Sequence, residues 1–116
     1  MSVDSILKRK ATDFAKRIVA LYRYLSCEHN EFEISKQILR SGTSIGANVT
    51  EAIYGSSRKD FVAKLQISRK EAAETLYWLE LLFCSEFLPR RLYESMDKDC
   101  NELLAMISST IQSTKK

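Results

Sequence analysis

Glycine and proline are scarce in this chain, which has three and one of them among 116 residues. Because every hairpin of a small all-β domain needs turn residues, this scarcity excludes a fold of many short strands. No run approaches 18 consecutive apolar residues, so the sequence predicts no membrane-spanning helix. The N-terminal residues alternate charged and apolar side chains and lack the continuous apolar core of a signal peptide. We therefore expect a cytoplasmic protein with no membrane partner.

Histidine and cysteine are also too few for most catalytic chemistry. His29 is the one histidine, and Cys27, Cys84 and Cys100 form no Cys-x-x-Cys pair. A zinc or di-iron site in a helical bundle needs several histidines and carboxylates at helical spacing, and a nucleophilic cysteine needs a base. We therefore predict free thiols in a reducing compartment, no metal, no cofactor and no catalytic site, so that the chain is not an enzyme.

The remaining composition is that of an ordinary globular domain, with 45% apolar, 28% charged and 9% aromatic residues. The length fits one domain that spans residues 1–116. The net charge of +3 hides an asymmetry. Residues 1–70 carry 13 Lys and Arg against 7 Asp and Glu, whereas residues 71–116 carry 5 against 8. The basic half points to an anionic partner, although a solvated helix face would have the same composition.

Apolar residues recur at alternating intervals of four and three in four successive segments, which is typical of helices with one buried face. The predicted helices span residues 3–27, 31–54, 58–88 and 90–113. The predicted core positions of the first, third and fourth are Leu7, Ala11, Phe14, Ile18, Leu21 and Leu25; Phe61, Leu65, Ser68, Ala72, Thr75, Leu79 and Leu82; and Leu92, Met96, Cys100, Leu103, Ile107 and Ile111. Short connections make consecutive helices antiparallel, so the predicted fold is an all-α, up-down-up-down four-helix bundle.

Residues near the predicted helix ends fit known capping patterns. Asn30 is placed to begin a capping box for the second helix, and Ser57 is placed to cap the third through Asp60. Gly55 stands where a left-handed residue often closes a helix. Pro89 is expected to end the third helix, because proline disfavours helical geometry in the residue before it.

The second predicted helix has an unusually small and polar core side, through Ile34, Ile38, Ser41, Ile45, Asn48 and Ala52. We place residues 41–48 inside this helix and not in a phosphate-binding loop, because no strand precedes them and the Gly-Lys-Ser/Thr ending is missing. Its glycines, Gly42 and Gly46, predict close approach to a neighbouring helix. A polar core layer between the second and third helices is predicted from Arg40, Ser44, Asn48, Glu51 and Glu71. It either fixes the register of the helices or binds a ligand.

Two exposed surfaces are candidates for partners. Arg9, Lys16 and Arg23 recur every seven residues opposite the buried face of the first helix. The predicted nucleic-acid-binding residues are these three together with Lys10, Arg17, Lys36 and Arg40. On the third helix Tyr77 and Trp78 point outward, and Lys70 lies one heptad before Tyr77; these three are the predicted oligomer interface, with isolated surface aromatics as the alternative.

The central helices also carry specific sequence blocks: Arg40-Ser41-x-x-Ser44-Ile45-x-x-Asn48-x-x-Glu51-Ala52, Ser57-x-x-Asp60-Phe61-x-x-x-Leu65 and Lys70-Glu71-Ala72-x-Glu74-Thr75-x-Tyr77-Trp78-Leu79. Over nearly its whole length the chain resembles the bacterial four-helix-bundle proteins encoded in intervening sequences of 23S ribosomal RNA genes. Many relatives have glycine where Ala52 stands here. That family is similar to the accessory protein of diversity-generating retroelements, a pentameric bundle with a basic surface.

The resemblance implies a homopentamer that binds RNA or DNA, partners a reverse transcriptase or another protein, and has no catalytic centre. Combined with the residues, it predicts a small, non-enzymatic, oligomeric protein that binds nucleic acid through a basic face. The alternative is a structural or protein–protein interaction module that has no nucleic-acid ligand.

Overall fold

The protein is a bundle of four helices in a computed structural model that describes residues 2–115. The helices are α1 (Val3–His29), α2 (Glu33–Ile53), α3 (Arg58–Cys84) and α4 (Arg90–Lys115). Within the described residues each helix packs on the next along the chain, and α4 returns to pack on α1. This order confirms the antiparallel up-down-up-down arrangement. No helix in residues 2–115 combines the length and apolarity needed to span a membrane.

The core consists of the side chains that the four-three spacing predicted on α1, α3 and α4. All six predicted positions of α1 are buried. On α3 and α4 every predicted core residue is buried except Phe61 and Leu92, which are half-buried near the ends of their helices. The hydroxyl groups of Ser68 and Thr75 lie inside this core and are both hydrogen bonded.

The predicted core face of α2 is partly wrong. Asn48 and Ile34 are half-buried, while Ser35, Gly42 and Val49 are buried in addition to the predicted Ile38, Ser41, Ile45 and Ala52. Ile38, Gly42, Ile45, Val49 and Ala52 themselves have four-three spacing, so the segment contains two overlapping apolar patterns. Residues 41–48 are helical, as predicted.

Gly42 lets α1 and α2 approach closely. An ideal Cβ built on Gly42 would lie 2.6 Å from a side-chain carbon of Ile18, which is fully buried on α1. At Gly46 the nearest atom is the Cβ of Ala11, at 3.5 Å, which is an ordinary contact. Of the two glycines, therefore, only Gly42 is required by the packing.

The turn between α1 and α2 differs from the predicted capping box. Asn30 has a left-handed backbone with φ of 51° and ends α1, which asparagine tolerates better than most residues. The residue at the N-cap of α2 is Phe32, whose side chain makes no capping hydrogen bond. Instead the Glu31 carboxylate accepts from the backbone N–H groups of Glu33, Ile34 and Ser35 at 2.7–3.1 Å.

Three other predicted helix ends are corrected, and one cap is confirmed. The Ser57 hydroxyl accepts from the Asp60 N–H at 3.0 Å, as predicted. Gly55 has no positive φ, because α2 ends in a turn that does not use the left-handed region. The third helix ends at Cys84, before Pro89 is reached, because Glu86 is left-handed with φ of 66° and the Phe87 N–H donates to the Leu82 carbonyl. Helix α4 continues beyond residue 113 to residue 115.

Candidate functional site

One cationic feature of the surface is a column along α1. Arg9, Lys16 and Arg23 are exposed and lie on the side of α1 opposite its buried face. Seven residues are nearly two helical turns, so neighbouring members are about 10 Å apart along the axis. We call these three residues the α1 column. Lys16 and Arg23 have no ion pair among residues 2–115.

Lys10 and Arg17 belong to a different surface. Both line a groove of about 200 Å³ between α1 and α4, together with Asp13, Asp99 and Glu102. The Arg17 guanidinium lies 2.7 Å from the Asp99 carboxylate and links the two helices. Because three carboxylates face two cations there, this groove is not a basic surface.

The two cations predicted on α2 also differ from each other. Lys36 is exposed near the start of the helix. Arg40 contacts the carboxylates of Glu71, at 3.3 Å, and Glu74, both on α3. The seven predicted nucleic-acid-binding residues therefore do not form one surface, and those in contact with acidic residues contribute less positive potential to the exterior.

The predicted polar core layer is not made of the predicted residues. Arg40 and Glu51 are exposed, and Ser44, Asn48 and Glu71 are half-buried. Ser44 and Asn48 bond to carbonyl oxygens of α2 itself, and Glu51 pairs with Lys64 of α3 at 3.2 Å. The sequence interpretation failed because it placed Asn48, and not Val49, on the core face of α2.

A polar layer between α2 and α3 does exist, formed by smaller residues. The Thr75 hydroxyl lies 2.9 Å from the Ser41 hydroxyl and 2.8 Å from the Glu71 carbonyl oxygen. The Ser68 hydroxyl donates across the helix pair to the Ile45 carbonyl at 2.8 Å. No buried side-chain polar atom in the described residues lacks a hydrogen-bond partner. This layer therefore fixes the two helices relative to each other and leaves no group unsatisfied for a ligand.

The solvent-facing side of α3 carries the aromatic pair predicted as an oligomer interface. Tyr77 is 56% exposed, and its ring packs edge-on against Trp78 with centroids 5.0 Å apart. Trp78 is less exposed than predicted: it packs against the core, and its indole N–H donates to Glu74 at 2.9 Å. Lys70 is exposed. Ile67, which sequence reasoning missed, is 42% exposed on the same helix.

His29 and Cys100, two titratable groups outside these surfaces, have structural contacts. His29 lies 2.9 Å from the Tyr24 hydroxyl and packs edge-on against Phe87, so it ties the α1–α2 turn to the α3–α4 turn. Burial raises the pKa of the Cys100 thiol to about 12, and the thiol donates to the Ala72 carbonyl. No cluster of three or more His, Cys, Asp or Glu side chains in residues 2–115 is arranged to hold a metal ion.

A second basic surface lies where α3 begins and α4 ends. It was not predicted from the sequence. Arg58 and Lys59 in the first turn of α3 line a cavity together with Lys115 near the end of α4. A signal was present in the sequence, because two cations open a helix where acidic residues are favoured.

Comparison with known proteins agrees with this architecture. The family model described as 23S rRNA-intervening sequence protein matches residues 4–109. A crystal structure at 1.70 Å resolution from Bacteroides thetaiotaomicron VPI-5482, described as a protein with unknown function from the S23 ribosomal protein family, superposes with a TM-score of 0.94. The two chains are 51% identical, and the similarity covers 96% of this chain and 99% of the other. No curated protein matches this chain.

Proposed function

This chain belongs to the 23S rRNA-intervening sequence protein family, and we propose that it is a non-enzymatic protein that binds the phosphate backbone of nucleic acids. The observation that carries the proposal is the α1 column. Its members Arg9, Lys16 and Arg23 are exposed on one side of a long helix. Their spacing spreads the charge over about 20 Å, a length that several consecutive phosphates of a strand can follow.

The chemistry of the column favours contacts to phosphates over reading of bases. Arginine and lysine bind phosphate oxygens by displacing counterions, and this interaction carries no sequence information. Base stacking needs exposed aromatic rings beside the cations. Tyr22 and Tyr24, the tyrosines on either side of Arg23, are both half-buried, and Tyr24 is hydrogen bonded to His29. We therefore expect affinity that depends steeply on salt and little on sequence.

Self-association through α3 is the second part of the proposal. Helix α3 packs on α2 and α4 within the chain, yet Ile67 and Tyr77 remain exposed on its outer half. Large apolar side chains left exposed on a small protein are typical of interfaces. A second copy of the chain is the proposed occupant, and a pentamer is the stoichiometry that the resemblance implies. In such a ring each subunit contributes one α1 column, and the positive potentials of the columns add to one another.

The binding proposal is tested by charge reversal within the α1 column. We expect the Lys16→Glu/Arg23→Glu variant to lose at least tenfold in affinity for single-stranded RNA and DNA at low salt, measured by fluorescence anisotropy. The matched control is Arg91→Glu/Lys98→Glu, which changes the net charge equally at exposed positions of α4. Equal losses in both variants, or a wild type that binds neither polymer, would leave the structural or protein-binding module as the function.

The self-association proposal is tested by Tyr77→Glu. Because a charge placed at the centre of an apolar contact must be desolvated, we expect this variant to sediment as a smaller species with unchanged helicity. Tyr54→Glu is the control, since Tyr54 is 78% exposed but lies outside α3. A monomeric wild type, or a Tyr77→Glu variant that sediments like the wild type, contradicts the proposed interface.

A further inference from the structure

A cavity of about 580 Å³ lies between the beginning of α3 and the end of α4. Its lining comes from both helices and consists of Arg58, Lys59, Val62, Ala63, Gln66, Thr114 and Lys115. Three of these seven side chains are cationic and none is acidic. None of the three cations has an ion pair among residues 2–115. The α1–α4 groove differs, because there Lys10 and Arg17 face three carboxylates.

The positions of two of these cations are unfavourable for the stability of the helix. Arg58 and Lys59 are the first two residues of α3, where the helix macrodipole stabilises acidic side chains and destabilises basic ones. Asp60, the acidic residue of that turn, does not line the cavity. Ser57 and Asp60 still favour the start of α3, but two cations in its first turn break a local rule, as residues at functional positions often do.

We propose that this cavity, which we call the α3–α4 groove, binds a nucleoside phosphate, either as a free nucleotide or as the terminal unit of a strand. Arg58, Lys59 and Lys115 supply the charge that a phosphate group requires, and arginine matches phosphate geometry with two parallel hydrogen bonds. Val62 and Ala63 supply an apolar wall against which a base packs. The Gln66 amide both donates and accepts, which suits the edge of a base.

The volume and the composition of the groove fit such a ligand better than a bare anion. The groove is open to solvent, and its volume of about 580 Å³ lies within the range for small-molecule sites, about 300–1,000 Å³. Inorganic phosphate fills only the cationic part and leaves the apolar wall uncovered. The proposal does not rest on the α1 column, and it stands if the column binds nothing.

The experiment is a titration followed by the backbone amide signals of the labelled protein in nuclear magnetic resonance. We expect AMP to shift the signals of residues 58–66 and 114–115 in a saturable way at low salt. Adenosine and inorganic phosphate should each bind at least tenfold more weakly than AMP. A 5′-phosphorylated oligonucleotide forms the second arm: shifts produced by AMP identify a free nucleotide, and shifts produced only by the oligonucleotide identify a strand end.

Charge reversal separates this groove from the rest of the surface. The Arg58→Glu/Lys59→Glu variant should lose at least tenfold in affinity for the ligand that binds, yet should melt no lower than the wild type, because it places acidic residues at the start of α3. Arg91→Glu/Lys98→Glu, with the same change of net charge, should bind as the wild type does. Lys16→Glu/Arg23→Glu should keep the affinity for AMP or, where only the oligonucleotide binds, the shifts of residues 58–66 at saturation, which separates the groove from the α1 column.

Three results would overturn the proposal. The first is the absence of saturable shifts with both AMP and the phosphorylated oligonucleotide. The second is equal affinity for inorganic phosphate and the nucleotide, which would make the groove a general cationic patch. The third is an equal loss of binding in Arg58→Glu/Lys59→Glu and in Arg91→Glu/Lys98→Glu, which would show that only net charge matters.

Discussion

The two glycines inside α2 are expected to respond in opposite directions to substitution by alanine. A Cβ added at Gly42 would meet three side-chain carbons of Ile18, at 2.6, 2.8 and 2.9 Å. Ile18 is fully buried and branches at its own Cβ, so it has little room to move away. A Cβ added at Gly46 would meet Ala11 at 3.5 Å or more, which is an ordinary van der Waals distance.

The expected magnitudes follow from two opposing terms. In a helix interior alanine is more favourable than glycine by about 1 kcal/mol, and Gly46→Ala should gain most of this. Gly42→Ala gains the same term but overpacks the contact with Ile18, which costs about 1–3 kcal/mol. Its net effect is therefore a loss of about 0–2 kcal/mol. The difference between the two variants isolates the overpacking term.

Urea unfolding followed by far-ultraviolet circular dichroism measures both variants under one set of conditions. Protein concentration must be equal, because self-association would couple stability to concentration. In thermal unfolding the two variants should differ by roughly 4–12 °C, at about 4 °C per kcal/mol for a domain of this size. Equal stability of Gly42→Ala and Gly46→Ala would contradict the close contact between Gly42 of α2 and Ile18 of α1.

Three further predictions concern Cys100 and Glu86. At pH 8 a thiol reagent should modify Cys27 and Cys84 quickly and Cys100 only as the protein unfolds, because Cys100 is buried and its pKa is raised from 9.0 to about 12; rapid modification of all three would contradict the buried position. Because of the same pKa shift, the contribution of Cys100 to the free energy of unfolding is constant below pH 9. It falls as the pH rises from 9 towards 12, since only the unfolded state then loses the thiol proton. Glu86→Gly should raise the free energy of unfolding by about 0.5–1 kcal/mol, because glycine adopts the left-handed backbone without the steric cost that a non-glycine residue incurs; an unchanged urea midpoint would argue against that geometry.

Much of the fold could be predicted because helical spacing determines which side chains face the core. On α1 the four-three pattern that holds the largest apolar side chains is the one that faces the core, and all six of its members are buried. On α2 many residues are small, so the four-three spacing fits two different core faces. One face includes the polar Asn48 and the other includes the apolar Val49. The helix ends were harder to predict, since the left-handed turns at Asn30 and Glu86 depend on how the following residues pack.

The candidate surfaces were predictable only as far as a single helix determines them. The spacing of Arg9, Lys16 and Arg23 places them on one side of α1 whatever α1 packs against. The contacts of Arg17 and Arg40 were not predictable in this way, because their carboxylate partners Asp99 and Glu71 stand 82 and 31 residues away in the sequence. Such cross-helix pairs decide which cations remain available to a polyanion.

The most direct test of binding through the α1 column is the affinity of the wild-type protein for a fluorescent single-stranded RNA, measured at a series of salt concentrations. We predict binding at about 50 mM salt, with the logarithm of the association constant falling linearly against the logarithm of the salt concentration. Three phosphate contacts from one column give a slope of about −2, and several columns in one assembly give a steeper slope. Absence of binding at about 50 mM salt, or an affinity that does not change with salt, would contradict the account.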